Sequence, residues 1–83
     1  MKNLPTDLLR TYVTIVREGG FSNAGRKLGR SQPAVSLQMN RLEELVDKPI
    51  MIRDGRSFRL TEEGQTLLDY AQRILKLNDE VLQ

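Results

Sequence analysis

The sequence predicts a mainly α fold: a three-helix core, a two-stranded β wing and a long final helix. Three observations carry this. Apolar residues recur at a 3.6-residue period over Leu4–Arg17 and again beyond Thr61, as on one face of an amphipathic helix. Between them, Gly19-Gly20 and Gly29 divide residues 18–45 into short helical pieces. Around Asp54-Gly55 the period drops to two, as in a hairpin.

The first helix places Leu8, Leu9, Tyr12, Val13 and Val16 on one side, with Asn3 or Thr6 expected to cap it and Pro5 tolerated in its first turn. The second is short, with Ser22 expected as its N-cap, Phe21 packing just before it, and Ala24, Gly25 and Leu28 inward. Gly25 lowers helix propensity by up to about 1 kcal/mol relative to Ala, and close approach to the next helix would offset that. Gly29 makes the turn, and Ser31 caps a third helix over residues 31–45. Pro33 falls in its first turn, where a missing N–H is harmless. Val35, Met39 and Leu42 face inward; Gln32, Ser36, Asn40 and, with them or to the side, Leu37 face out. Two helices joined by a Gly-containing turn form a helix-turn-helix.

Residues 50–60 form the wing, with Phe58 and Leu60 on one side and a basic tip of Arg53, Arg56 and Arg59. A hairpin this small must lie against the helices. Thr61 caps the last helix, and Glu62 and Glu63 suit the positive end of its dipole. Leu68, Ala71, Leu75, Asn78 and Leu82 follow a 3-4-3-4 spacing, broadened by Leu67, Ile74, Leu77 and Val81. That stripe is expected to pair with a second copy through Leu67, Leu68, Ala71, Ile74, Leu75, Asn78 and Leu82. The chain thus divides into a winged helix-turn-helix at 1–60 and a linker or dimerisation helix at 61–83.

Composition narrows the function. The 83 residues contain no Cys and no His, which removes disulfides, Cys or His nucleophiles and the usual zinc sites. No Ser-His-Asp set or phosphate-cradling glycine loop is present, so an enzyme is not expected, nor a cofactor in this domain. No apolar run approaches the roughly 20 residues that cross a bilayer, and the N-terminus lacks a secretory apolar core, so the expected compartment is the cytoplasm. The net charge is only +2, but residues 21–61 hold eight of the thirteen Lys and Arg against four acids. A basic centre between neutral or acidic ends fits a localised anion-binding face. Charge alone leaves an ordinary charged surface equally open. Short polar side chains at the front of the third helix suit a DNA major groove, and Gln32 can bond bidentately to adenine. A protein-interaction or dimerisation module of winged-helix type, without specific DNA readout, is the alternative.

The segments LLRTYVTIVREGGFSNAGRKL, SQPAVSLQMNRLE and FRLTEEG, in this order and spacing, resemble the N-terminal winged helix-turn-helix and linker helix of LysR-type transcriptional regulators of bacteria. The resemblance runs from Leu4 to about Leu82 and implies sequence-specific binding of double-stranded DNA by a dimer or tetramer. It implies base reading by Gln32, Pro33 (against a thymine methyl) and Ser36. Backbone contacts would come from Ser22, Arg30, Ser31, Gln38, Arg41 and Lys48, and minor-groove contacts from Arg53, Arg56 and Arg59, with Arg53 and Arg56 favoured. It also implies antiparallel pairing of the last helix, and a small-molecule effector bound only by a further C-terminal domain; 83 residues would then be an excised domain. The chain departs from the family pattern at Gly25 (commonly Ala), near Asp47 (usually Gly) and at Met51 (usually Phe).

Overall fold

Helix α1, Thr6–Glu18, is the hub of the fold, because its buried face is wide enough to serve three neighbours. Leu8, Leu9, Tyr12, Val13 and Ile15 are buried, and α1 packs against α2 (Phe21–Leu28), α3 (Gln32–Val46) and α4 (Glu62–Val81). The computed structural model describes residues 2–55 and 57–83. Wing position Arg56 therefore lies outside the described residues.

The helix starts differ from expectation at two places. Neither Asn3 nor Thr6 caps α1; Pro5 is the N-cap, and its carbonyl accepts from the amides of Leu8 and Leu9 at 3.1 and 3.3 Å. Proline can fill this position because its own missing N–H lies outside the helix ladder. Ser22 does not cap α2 either. The helix begins one residue earlier, at Phe21, with Gly20 as N-cap and no side-chain cap bond. Ser31 and Thr61 behave as the sequence predicts, accepting from Ala34 N at 3.3 Å and Gly64 N at 3.0 Å.

The turn between α2 and α3 depends on two glycines. Gly29 takes the left-handed conformation (φ 69°) that ends α2. A Cβ on Gly25 would lie 2.6 Å from the carbonyl oxygen of Arg30, so the close approach inferred for Gly25 is to the turn leading into α3. Asp47 ends α3 at φ 58°, a left-handed conformation that ordinarily favours glycine.

Strands β1 (Met51–Asp54) and β2 (Ser57–Leu60) pair antiparallel in the register Met51↔Leu60, Ile52↔Arg59, Arg53↔Phe58 and Asp54↔Ser57. Gly55, at φ 62°, supplies the left-handed residue that a tight hairpin needs. The hairpin base is tied to the helices. Thr61 N donates to Ile50 O at 3.2 Å, Thr61 Oγ1 to Pro49 O at 2.7 Å, and Ile50 N to the Glu43 carboxylate at 3.0 Å.

The pairing residues expected on the last helix need correction. Leu67, Leu68, Ala71 and Leu75 are buried in this chain's own core, together with residues of α1, α3 and β1. The side of α4 left open carries Ile74, which the expected set includes, together with Tyr70, Leu77 and Val81. Leu82 is also exposed, whereas Asn78 is half-buried and donates to Asp79 at 3.2 Å. Arg10 on α1 pairs with Asp79 at 2.9 Å and ties the far end of α4 to the hub.

Candidate nucleic-acid interface

Three elements converge at one place: the start of α2, the start of α3 and the inner face of the wing. Between them lies an open cleft of about 690 Å³ lined by Gly20, Ser22, Gln32, Arg53, Gly55 and Ser57, among others. Two of these residues join α2 to α3 directly, since Ser22 Oγ donates to Gln32 Oε1 at 3.1 Å. That bond gives Ser22 a role the cap assignment missed, and it holds the Gln32 amide at the edge of the cleft. Gln32 is exposed, and its Nε2 donors stay available.

The wing is clamped to the same place by aromatic contacts. Phe21 and Phe58 meet edge to face with centroids 6.4 Å apart, and the Arg53 guanidinium lies 4.1 Å from the Phe21 ring centroid. Arg53 and Phe58 are register partners and share the inner face. Arg59 is paired with Ile52 on the opposite, outer face. Strand alternation therefore separates Arg53, on the cleft side, from Arg59.

Helix α3 exposes a ridge directly away from its buried residues Val35, Met39 and Leu42. At about 100° per residue the centre of that ridge is Pro33, Leu37, Asn40 and Glu44, with Arg41 beside it, all exposed. Ser36 and Gln38 are half-buried on the flanks. Gln38 is engaged within the fold: its Oε1 accepts from Arg30 Nη1 at 2.5 Å and lies 2.8 Å from the hydroxyl of buried Thr11. Its carbonyl end thus braces Arg30 across to α1. Arg30 itself remains exposed at the turn. Arg41 forms no ion pair among the described residues, so the pairing with Glu44 that charge alone would suggest is not made. Lys48 is not brought to the cleft; it lines a separate groove with Val46, Glu62, Glu63 and Tyr70.

The first-turn amides of α2 have no side-chain cap, unlike those of α3, where Ser31 Oγ takes the Ala34 amide. An uncapped helix start opening on a cleft with a guanidinium on its other wall has the chemistry to take an anion. The sequence turns Leu37 outward or sideways but assigns it no role, and it does not show Tyr70 on the open side of α4 or the Arg53–Phe21 stack.

A helix-turn-helix whose second helix shows an open ridge, flanked by an aromatic-clamped β wing and followed by a long helix, defines a winged helix-turn-helix domain. Residues 6–65 match the family described as bacterial regulatory helix-turn-helix protein, lysR family, and the chain belongs to that family. It is similar to the HTH-type transcriptional regulator DgdR of Burkholderia cepacia, at 46% identity over 98% of this chain and 28% of the relative. It is also similar to a probable RuBisCO transcriptional regulator of Emiliania huxleyi, at 48% identity over 100% of this chain and 27% of the relative. Among solved structures, it matches the BenM_DBD/benA site 1 DNA complex with a TM-score of 0.89 and 32% identity, over 95% of this chain and 89% of the other. The chain spans a little over a quarter of the length of these two curated relatives.

Proposed function

We propose that this chain is the DNA-reading part of a transcription regulator and binds double-stranded DNA as a homodimer. In this reading α3 lies in a major groove, with Gln32, Pro33 and Ser36 toward base edges. Arg30, Arg41, Ser22 and Ser31 flank phosphates, and the wing follows the backbone with Arg53 on the cleft side and Arg59 on its outer face. The single observation that carries the reading is the Ser22–Gln32 bond at the mouth of the cleft. It fixes a base-competent amide where the start of α2, the start of α3 and the wing meet.

Pairing assigns residues 61–83 a second task. Tyr70, Ile74, Leu77 and Val81 recur at 4-3-4 spacing along the open side of α4, the seam a helix presents to a like helix. Residues 1–60 then read DNA, while 61–83 both complete the core and set the distance between two readers. The relatives, named as transcriptional regulators, and the DNA complex of the structural neighbour support this reading. It requires neither catalysis nor a cofactor in this domain and places the protein with cytoplasmic DNA; an effector would act through another part of a longer protein.

The experiment is selection of bound duplexes from a random pool by this chain, with sedimentation of the chain alone and on the selected DNA. The expected result is an enriched sequence in two related half-sites bound by two chains. Enrichment of nothing above the starting pool would overturn the DNA reading, and a single half-site bound by one chain would overturn the pairing.

A further inference from the structure

Leu37 is the anomaly of the α3 surface. It is a large apolar side chain 52% exposed at the centre of the ridge that points away from the core, one turn beyond Pro33 and one turn before Arg41. Asn40 and Arg41 beside it are exposed and polar, and Gln32 and Ser36 lie on its flank. No fold contact explains it: Val35, Met39 and Leu42 already fill the buried face of the helix. With Pro33 it makes an apolar strip only two side chains long. That is far too small for a protein partner, whose interface needs roughly 1,000 Å² or more.

We propose that Leu37 is a specificity-determining residue that packs on the C5-methyl group of a thymine in the major groove. This rests on the DNA reading above. The other groups lining a major groove are hydrogen-bond donors and acceptors, and the thymine methyl is the apolar one. A leucine on the outer ridge satisfies none of the polar groups, so it favours a base that presents a methyl and disfavours those that present only donors or acceptors. Gln32 and Leu37 then divide the labour. The amide reads by hydrogen bonds at the front of the helix, and the leucine reads by shape and desolvation one to two turns further along.

The test uses duplexes selected from the random pool, with each thymine replaced in turn by deoxyuridine. That replacement removes the methyl and leaves base pairing and all polar edges unchanged. At one thymine per half-site the chain should lose about 4- to 10-fold in affinity on that replacement, the value of one buried methyl. Leu37→Ala, at an exposed position where folding is not at risk, should bind the thymine and deoxyuridine duplexes equally. The proposal is overturned if selected duplexes bind but no replacement weakens binding, or if the loss persists in Leu37→Ala, which would assign the methyl to Pro33. Failure to select any duplex would instead remove the DNA reading on which the proposal rests.

Discussion

The phenol of Tyr12 donates to the carbonyl oxygen of Gly64 at 2.8 Å, joining the middle of α1 to the first turn of α4 inside the core. Gly64 has to be this close: a Cβ there would lie 1.9 Å from the carbonyl oxygen of Ile50 and 3.0 Å from the Tyr12 hydroxyl. One bond thus sets the depth at which α4 leaves the wing and crosses the hub. Burial, with a smaller contribution from the Glu43 carboxylate, pushes the Tyr12 phenol up from 10.0 to about 12.

Tyr12→Phe should destabilise the domain by about 0.5–1.5 kcal/mol, the net value of one buried hydrogen bond, because the Gly64 carbonyl keeps its partner within α4. The raised pKa adds a pH signature. The folded chain keeps the phenolic proton at a pH where the unfolded chain has released it, so stability is full below about pH 10 and falls as pH rises toward 12. Urea unfolding of both proteins between pH 8 and 12 reads both effects. The slope attributable to Tyr12 should be missing in Tyr12→Phe; identical slopes would show that the phenol titrates alike in both states.

Asp47→Gly should stabilise the domain by about 0.5–1 kcal/mol. Asp47 holds φ 58° while its amide closes α3 on Glu43 O at 2.8 Å. Glycine keeps that bond and removes the Cβ that makes the left-handed conformation unfavourable. Its larger unfolded-state entropy offsets part of the gain, so Asp47→Ala, which keeps the Cβ and loses the local polarity of Asp, should fall below the wild type. Thermal unfolding of the three chains gives the order; an Ala variant as stable as the Gly variant would mean the conformation carries no strain.

How much of this was legible in the sequence follows from which residues have local causes. The order of elements, the Ser31 and Thr61 caps and the Asp54-Gly55 turn depend on neighbours in the chain, and the sequence predicts them. The cap of α2 depends on Gly20, whose backbone opens the helix one residue before Ser22 would. Ser22 is then free to meet Gln32, ten residues on. On α4 the sequence merges two sides into one stripe, of which Ile74, Leu77, Val81 and Leu82 stay open and Leu67, Leu68, Ala71 and Leu75 face the core. Leu67, Leu68, Ala71 and Leu75 and the seam Tyr70, Ile74, Leu77 and Val81 are both helical stripes, and periodicity cannot say which one meets α1. The Arg53–Phe21 stack joins residues 32 positions apart and has no local signature.

The two stripes of α4 give opposite mutant behaviour. Leu77→Glu, at a residue 62% exposed, should leave thermal stability of the isolated chain nearly unchanged and weaken self-association by tenfold or more. Leu68→Ala should do the reverse, with an unfolding cost of about 2–5 kcal/mol, because it empties a site packed against α1. Sedimentation equilibrium alongside urea titration separates them. A Leu77→Glu chain that associates as tightly as wild type would remove the open side of α4 from the dimer.

Arg53 tests whether the wing holds on by shape or by charge. Its guanidinium stacks on Phe21, so part of its value is to keep β1 against α2. Its position on the cleft wall opposite Ser22 and Gln32 leaves N–H groups for a phosphate. The two roles separate in the salt dependence of binding. Arg53→Ala should weaken binding to selected and scrambled duplexes alike and reduce the log–log salt slope by about 0.9 per chain, the value of one lost phosphate contact. Arg53→Lys keeps the charge but loses the planar stack, so it should retain the slope while binding more weakly than wild type. If Arg53→Ala weakens binding with the slope intact, the residue acts only through Phe21, and the backbone contacts of the wing belong to Arg59 on its outer face or to the tip.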